Sequence, residues 1–226
     1  MASVMMNIDE IVSKPREDIF RKKAESVIEN LKKRNINGIY CRTTKEAVAE
    51  ICRMIPGGAS VALGGSVTIM QSGLLGELRH KNVDLLDRYR PGITNEEVEA
   101  VMARGMTADV QLMSCNAVTS DGKLVNEDGR GNRVAGLIFG PKKVILMVGV
   151  NKIVRSVEDG MTRIREVAAP LNCVRLGLDT PCARTGFCDD ADCFPPARVC
   201  SQITIIESNR VKDRLTVVFV GEELGY

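Results

Sequence analysis

The chain has 226 residues, 44% of them hydrophobic and only 4% aromatic, with no tryptophan and a formal net charge of +2. That length suits one α/β domain with an aliphatic core, and 31 basic against 29 acidic residues argues against a broadly basic nucleic-acid surface. No segment reaches the roughly 20 apolar residues that span a bilayer, and residues 1–18 turn polar too early for a signal peptide, so a cytoplasmic protein with reduced thiols is expected.

From Ile8 to Lys33, Ile11, Val12, Ile19, Phe20, Ala24, Val27, Ile28 and Leu31 recur at helical spacing, with Pro15 near the start or at a break. This predicts an amphipathic packing helix within an N-terminal helical segment, 1–35, with a solvated basic face. A short strand follows at Ile39–Cys41, and then a helix over Lys45–Met54 capped by Thr43 or Thr44. The turn Pro56-Gly57-Gly58 leads into a buried strand, Ser60–Leu63. Gly64, Gly65, Ser66 and Thr68 come next, ahead of a helical pattern from Ile69 to Leu78. A glycine pair and hydroxyls between a strand and a helix can turn backbone N–H groups toward an anion. The same residues can equally serve packing, and they form neither a P-loop nor a dinucleotide fingerprint. Asn82–Leu86 reads as a strand. Arg88 and Arg90 then lie in a loop where they can meet a phosphate or stay solvated, and Thr94 with Glu97 forms a capping box for a helix over Glu96–Arg104.

The stretch Thr107–Val154 carries the densest chemistry. Val110–Met113 and Val144–Val150 are apolar runs bounded by turn residues, as buried parallel strands are. Ligands of open α/β sheets sit beyond the carboxyl ends of such strands. That makes Asn116, Ser120, Asp121 and Gly122 candidates after the first run, and Gly149, Asn151 and Lys152 after the second. Residues 126–132 read as a polar, glycine-broken loop. The one histidine, His80, sits between Arg79 and Lys81. It excludes a two-histidine metal site and offers no support for a Ser–His–Asp apparatus. Acid–base or covalent chemistry then falls to carboxylates, with Glu127 and Asp121 as catalytic candidates. Beyond the stretch, a helix over Val157–Ala169 is expected to end at Pro170.

Past Pro170 the texture becomes irregular, and Cys182, Cys188, Cys193 and Cys200 follow at spacings of C-x5-C-x4-C-x6-C. Four thiols in a loop with few apolar residues suit zinc or an iron–sulfur cluster. The spacing matches neither a zinc knuckle nor a ferredoxin run, and a reduced, packed loop is the competing reading. Cys41, Cys52, Cys115 and Cys173 read as scattered core thiols, Cys115 lying near the proposed site. Gln202–Ile206 and Leu215–Val220 are strand-like and joined by a polar turn.

The block from Cys115 to Val154, with CNAVTSDGKLVN and GNRVAGLIFGPKKVILMVGVNKIV, resembles the core of the LUD domain family of lactate-utilisation proteins. The tail TPCARTGFCDDADCFPPARVC resembles the cysteine-bearing ending of many single-domain members. The resemblance spans nearly the whole chain and implies one LUD-type domain over 1–226, with 173–201 a cysteine-rich loop that returns to the sheet. It also implies an open, mainly parallel sheet with helices on both faces, like that of ribose-phosphate isomerases and CoA-transferases. Gly64, Gly65 and Ser66 would then lie on one ligand loop, Asn116 to Gly122 on a second, and Gly149 to Lys152 on a third. The implied function is organic-acid utilisation, as an enzyme subunit or accessory protein acting with iron–sulfur redox partners on a small anionic, phosphorylated or CoA-like ligand. A ligand-sensing module, a cluster-bearing redox protein and a homo-oligomer stay open, and fold analogy alone does not assign a reaction.

Overall fold

The computed structural model describes residues 8–226, so residues 1–7 of the expected N-terminal segment lie outside the described residues. The first helix, α1 (Ile8–Lys33), continues across Pro15. Only its second half packs: Ala24, Val27, Ile28 and Leu31 are buried, while Ile11, Val12 and Ile19 stay exposed. The chain continues through β1 (Asn37–Cys41), α2 (Thr44–Met54) and β2 (Ser60–Leu63). Thr43 caps α2 by accepting a hydrogen bond from the Glu46 backbone N–H.

The helix expected from Ile69 to Leu78 is two helices, α3 (Val67–Gln71) and α4 (Leu74–His80). Gly73, at a φ of 79°, breaks them in a conformation that favours glycine. Next come β3 (Asp84–Leu86), α5 (Asn95–Gly105) with its Thr94–Glu97 capping box, and β4 (Val110–Met113). The second half comprises β5 (Ala117–Thr119), β6 (Leu124–Asp128), α6 (Asn132–Ile138) and β7 (Lys143–Gly149). A 3-10 turn (Val150–Lys152) leads to β8 (Ile153–Val154), α7 (Val157–Arg163), a π-helical turn (Ile164–Ala168) and α8 (Ala169–Leu176). The chain then forms α9 (Pro181–Thr185), β9 (Gln202–Ile206) and β10 (Leu215–Val220).

Six strands form an all-parallel sheet in the order β1-β10-β7-β4-β2-β3. Successive side chains of a strand point to opposite faces, and β7 shows what that does. Ile145 and Met147 join a cluster with Ala47 and Ile51 of α2 and Leu74 and Leu78 of α4. Val144, Leu146 and Val148 join the opposite cluster with Val27, Ile28 and Leu31 of α1. Each such side chain contributes about 1.5–3 kcal/mol by leaving water, so β7 is held from both sides. The fold is therefore α/β, with an open parallel sheet between helical layers. No helix among the described residues is long and apolar enough to cross a membrane.

Two expectations need correction. Residues 126–132 are not one loop: Asn126, Glu127 and Asp128 end strand β6, and Asn132 begins α6. Strand β6 pairs antiparallel with both β5 and β9 in a second sheet ordered β8-β5-β6-β9. Pro170 does not end a helix either. The helical backbone continues past it instead: the widened turn at Ile164–Ala168, where the Ala169 N–H reaches back five residues to Ile164 O, carries the chain into α8 with Pro170 in its first turn.

Candidate functional site

The two sheets meet over the carboxyl ends of β2, β4 and β7, and a cavity of about 490 Å³ opens there. Its walls come from Gly65–Thr68 after β2, Ser114–Asn116 after β4, Lys152 after β7 and Glu127–Arg130 at the end of β6. The π turn and α8 add Ile164, Ala168 and Asn172, and the cysteine segment adds Arg198, Val199 and Cys200. The position is the one general to open α/β sheets.

Lys152 lies at the bottom of this arrangement and is 2% exposed. Its Nζ donates to Thr68 Oγ1 at 2.8 Å and to Ser114 Oγ at 3.1 Å. No carboxylate among the described residues pairs with it. Burial, reinforced by the neighbouring guanidinium groups of Arg163 and Arg133, brings its ammonium down to about 7.

Arg133, from the first turn of α6, is buried and organises the wall. One guanidinium nitrogen donates to Ser114 O at 3.2 Å and Asn126 Oδ1 at 2.7 Å; the other donates to Asn116 Oδ1 at 2.9 Å and Glu127 O at 2.8 Å. Asp128 starts the same helix, its Oδ2 accepting from the backbone N–H of Arg133 and Val134. Arg163 Nη1 holds Asn116 O at 2.8 Å, and its Nε holds Asn151 O at 3.0 Å. Strand end, helix start and 3-10 turn are thus locked together by two arginines.

Glu127, Tyr226 and Arg88 each present the cavity wall with a group that lacks a protein partner among the described residues. Glu127 Oε2 and the Tyr226 hydroxyl are both buried without a hydrogen bond. Burial pushes the Glu127 carboxyl up, against the pull of Arg165 and Arg198. Arg88 is half-buried, in no hydrogen bond or ion pair, with its guanidinium 5.5 Å from the centre of the Tyr89 ring. The wall carries six basic side chains, Arg88, Arg130, Arg133, Lys152, Arg175 and Arg198, against two acidic ones, Glu127 and Asp128. Its potential favours an anion.

Of the residues singled out from sequence, Gly65, Ser66, Thr68, Asn116, Glu127 and Lys152 meet around this cavity. Gly64 lies just behind it, where a Cβ would come within 3.0 Å of Met113 and 3.2 Å of Arg133. Ser120, Asp121 and Gly122 lie instead at the tip of the β5–β6 hairpin. Asn30 donates to Ser120 O at 2.9 Å, and Arg34 donates to Asp121 O at 2.6 Å and Oδ2 at 2.8 Å, so this tip clamps the end of α1. Gly149 and Asn151 brace the chain's last turn, Asn151 Oδ1 accepting from Leu224 N at 3.2 Å. A Cβ on Gly149 would sit 2.6 Å from Leu224 N and 2.9 Å from Glu222 O. Gly149→Ala is therefore expected to cost about 1–3 kcal/mol in urea denaturation, as overpacked sites do; an unchanged midpoint would remove the bracing role.

Arg133, Ser114 and Tyr226 are wall residues that sequence reasoning missed, as is Arg163, which braces the wall from behind through Asn116 O and Asn151 O. Ser114 was within reach of that reasoning, as the first polar residue past the apolar run of β4. In the cysteine segment Cys182 is buried, Cys188 exposed, and Cys193 and Cys200 half-buried, all as free thiols. Burial, then Glu127 and the nearby Cys173 and Cys188, pushes the Cys200 thiol up to about 12. Among the described residues no group of three or more His, Cys, Asp or Glu side chains is gathered closely enough to hold a metal ion.

Comparison with known proteins adds three findings. The LUD domain family model matches residues 24–220. Among solved structures, a DUF162 family protein from Deinococcus radiodurans is similar, at 17% identity over 90% of this chain and 98% of that one, with a TM-score of 0.47. None of the curated proteins matches.

Proposed function

The chain belongs to the LUD domain family, and from that premise we propose that it binds a small anionic ligand in the strand-end cavity and serves organic-acid utilisation, as an enzyme subunit or accessory protein. The family is related to lactate-utilisation proteins, so small carboxylates and their phosphorylated or CoA-linked relatives are the natural ligand class. The observation that carries this reading is the unpaired Arg88 in a wall of six basic and two acidic side chains. A guanidinium free of other partners is suited to grip a carboxylate or phosphate through two parallel hydrogen bonds. Arg133 is not suited to it, because four protein acceptors already occupy its terminal nitrogens. The full chain acts in this reading as one LUD-type unit, with the cysteine segment closing one side of the cavity through Arg198, Val199 and Cys200.

Titration calorimetry with lactate, pyruvate, a sugar phosphate and CoA tests the proposal. At least one is expected to bind, and Arg88→Ala to weaken that ligand by about ten-fold or more, as loss of a charged hydrogen bond worth about 1.5–3 kcal/mol would do. Saturable binding that Arg88→Ala leaves unchanged would move the anion elsewhere on the wall. No binding by any of the four would sink the reading.

A further inference from the structure

We propose that Lys152 is a nucleophile, its Nζ condensing with the aldehyde or ketone group of a small anionic ligand to form an imine. The inference rests on the cavity being the ligand site, and it deepens that reading from binding to covalent chemistry.

The hydrogen bonds around Nζ carry the argument. The Thr68 hydroxyl has Leu224 O within reach as an acceptor at 3.4 Å, and the Ser114 hydroxyl has Cys115 O at 3.4 Å. Each hydroxyl can therefore spend its own hydrogen on a carbonyl and present its oxygen to Nζ. A neutral amine has two hydrogens, and these two oxygens accept both. The nitrogen lone pair is then the feature left over. An ammonium in the same place would hold a third hydrogen with no carboxylate among the described residues to pair with it. The charged groups facing Lys152 from other elements are Arg163 of α7 and Arg133 of α6, and both oppose a further positive charge. A lysine whose only task was to staple loops would be better served by an acid than by two hydroxyls and two guanidinium neighbours.

The step balances within the cavity. The Nζ lone pair adds to the carbonyl carbon, and the π electrons of the C=O bond move to oxygen. That oxygen takes a proton and the nitrogen releases one, leaving a carbinolamine. A second proton transfer lets the oxygen depart as water while the C=N bond forms, so both amine hydrogens end in the water. Solvent in the open cavity can relay these protons, and Glu127, whose Oε2 is buried in the same wall without a partner among the described residues, is the carboxyl of that wall free to exchange hydrogen bonds with it. Burial shifts that carboxyl toward its protonated form. Arg88 would hold the anionic end of the ligand.

The test is reductive trapping on the full chain. The protein is incubated with sodium cyanoborohydride and either pyruvate or glyceraldehyde 3-phosphate, then analysed by intact mass and peptide mapping. One stable adduct per chain, on the peptide holding Lys152 and not on the exposed Lys142, is the expected result, and whichever probe traps faster tells carboxylate from phosphate recognition. The adduct should be absent from Lys152→Arg. Equal labelling of Lys142 and Lys152 in the wild-type protein, which needs no variant to fold, would overturn the proposal. Calorimetric binding of a probe with no trapped adduct would overturn the imine while leaving the ligand site standing, whereas neither binding nor trapping would overturn both.

Discussion

Arg133→Met is expected to lower folding stability by about 3–5 kcal/mol, the range for removing one member of a buried charged network. The reason is the number of groups that depend on it. Ser114 O, Glu127 O and the side-chain oxygens of Asn116 and Asn126 all accept from its guanidinium. Asn126 and Glu127 are themselves buried, so water cannot replace the lost donors cheaply. The Asp128 carboxylate, 3.7 Å from Arg133 Nε, would lose its only ion-pair partner among the described residues. Arg133→Lys keeps the charge but loses the planar fork and is expected to recover less than half of the loss. Urea denaturation of the three proteins decides the matter. A loss below about 1 kcal/mol would mean that the two sheets hold each other without this residue, against the usual price of an unsatisfied buried acceptor.

Lys152→Met should be more stable than the parent at pH 7, and its advantage should shrink as pH rises. The sign follows from the depressed pKa. Between about 7, the folded value, and 10.5, the ordinary one, the unfolded chain binds a proton that the folded chain refuses. The parent therefore gains stability with rising pH across that window, by ~1.4 kcal/mol per pH unit at most. Below the window both states are protonated and the full cost of burying the ammonium is present. The variant has no such cost, although it leaves the Thr68 and Ser114 hydroxyls without the amine, which trims its gain to about 2 kcal/mol. The quantity to measure is the difference in unfolding free energy between the two proteins at pH 7 and at pH 9. Cys41 and Cys200, whose thiols burial pushes up to about 11 and about 12, also titrate differently on unfolding. They do so in both proteins and drop out of the difference. Cys115, whose thiol burial raises and Lys152 pulls down, is shared by the two proteins but feels the substitution, so the comparison is made with Cys115→Ser in both. A difference that stays constant from pH 7 to 9 would show that Lys152 is charged in the fold throughout.

The parallel strands are legible in the sequence because burial on both faces writes them as near-continuous apolar runs, as in Val144–Val148 and Val217–Val220. Caps are legible for a local reason: Thr43 and Thr94 each act within three residues. The second sheet is not legible, because β6 buries Asn126 and Glu127, and only the distant arginine makes that burial tolerable. Pattern reading takes a polar run as loop unless it can see such a partner. The same limit divided the candidate site. Gly65, Ser66, Asn116 and Lys152, which follow β2, β4 and β7, meet at the cavity, since sheet topology brings those strand ends together. Ser120, Asp121 and Gly122 follow β5, a strand of the other sheet, and are carried off to the end of α1. Arg133 and Tyr226 reach the cavity through tertiary packing, which no spacing in the sequence announces.

The strand order of the parallel sheet also governs how the protein is made. Strand β10, the last in the chain, lies between β1, the first, and β7 in the middle. Until Leu215–Val220 has left the ribosome, β1 has no neighbour to pair with, and β7 shows an open hydrogen-bonding edge and bare Val144, Leu146 and Val148. At about 5–20 residues per second, synthesis leaves that edge and its apolar flanks uncovered for seconds after β7 emerges. In that interval the nascent chain presents an unpaired strand edge of the kind that templates strand-to-strand aggregation, and a chain that stalls before residue 215 keeps it.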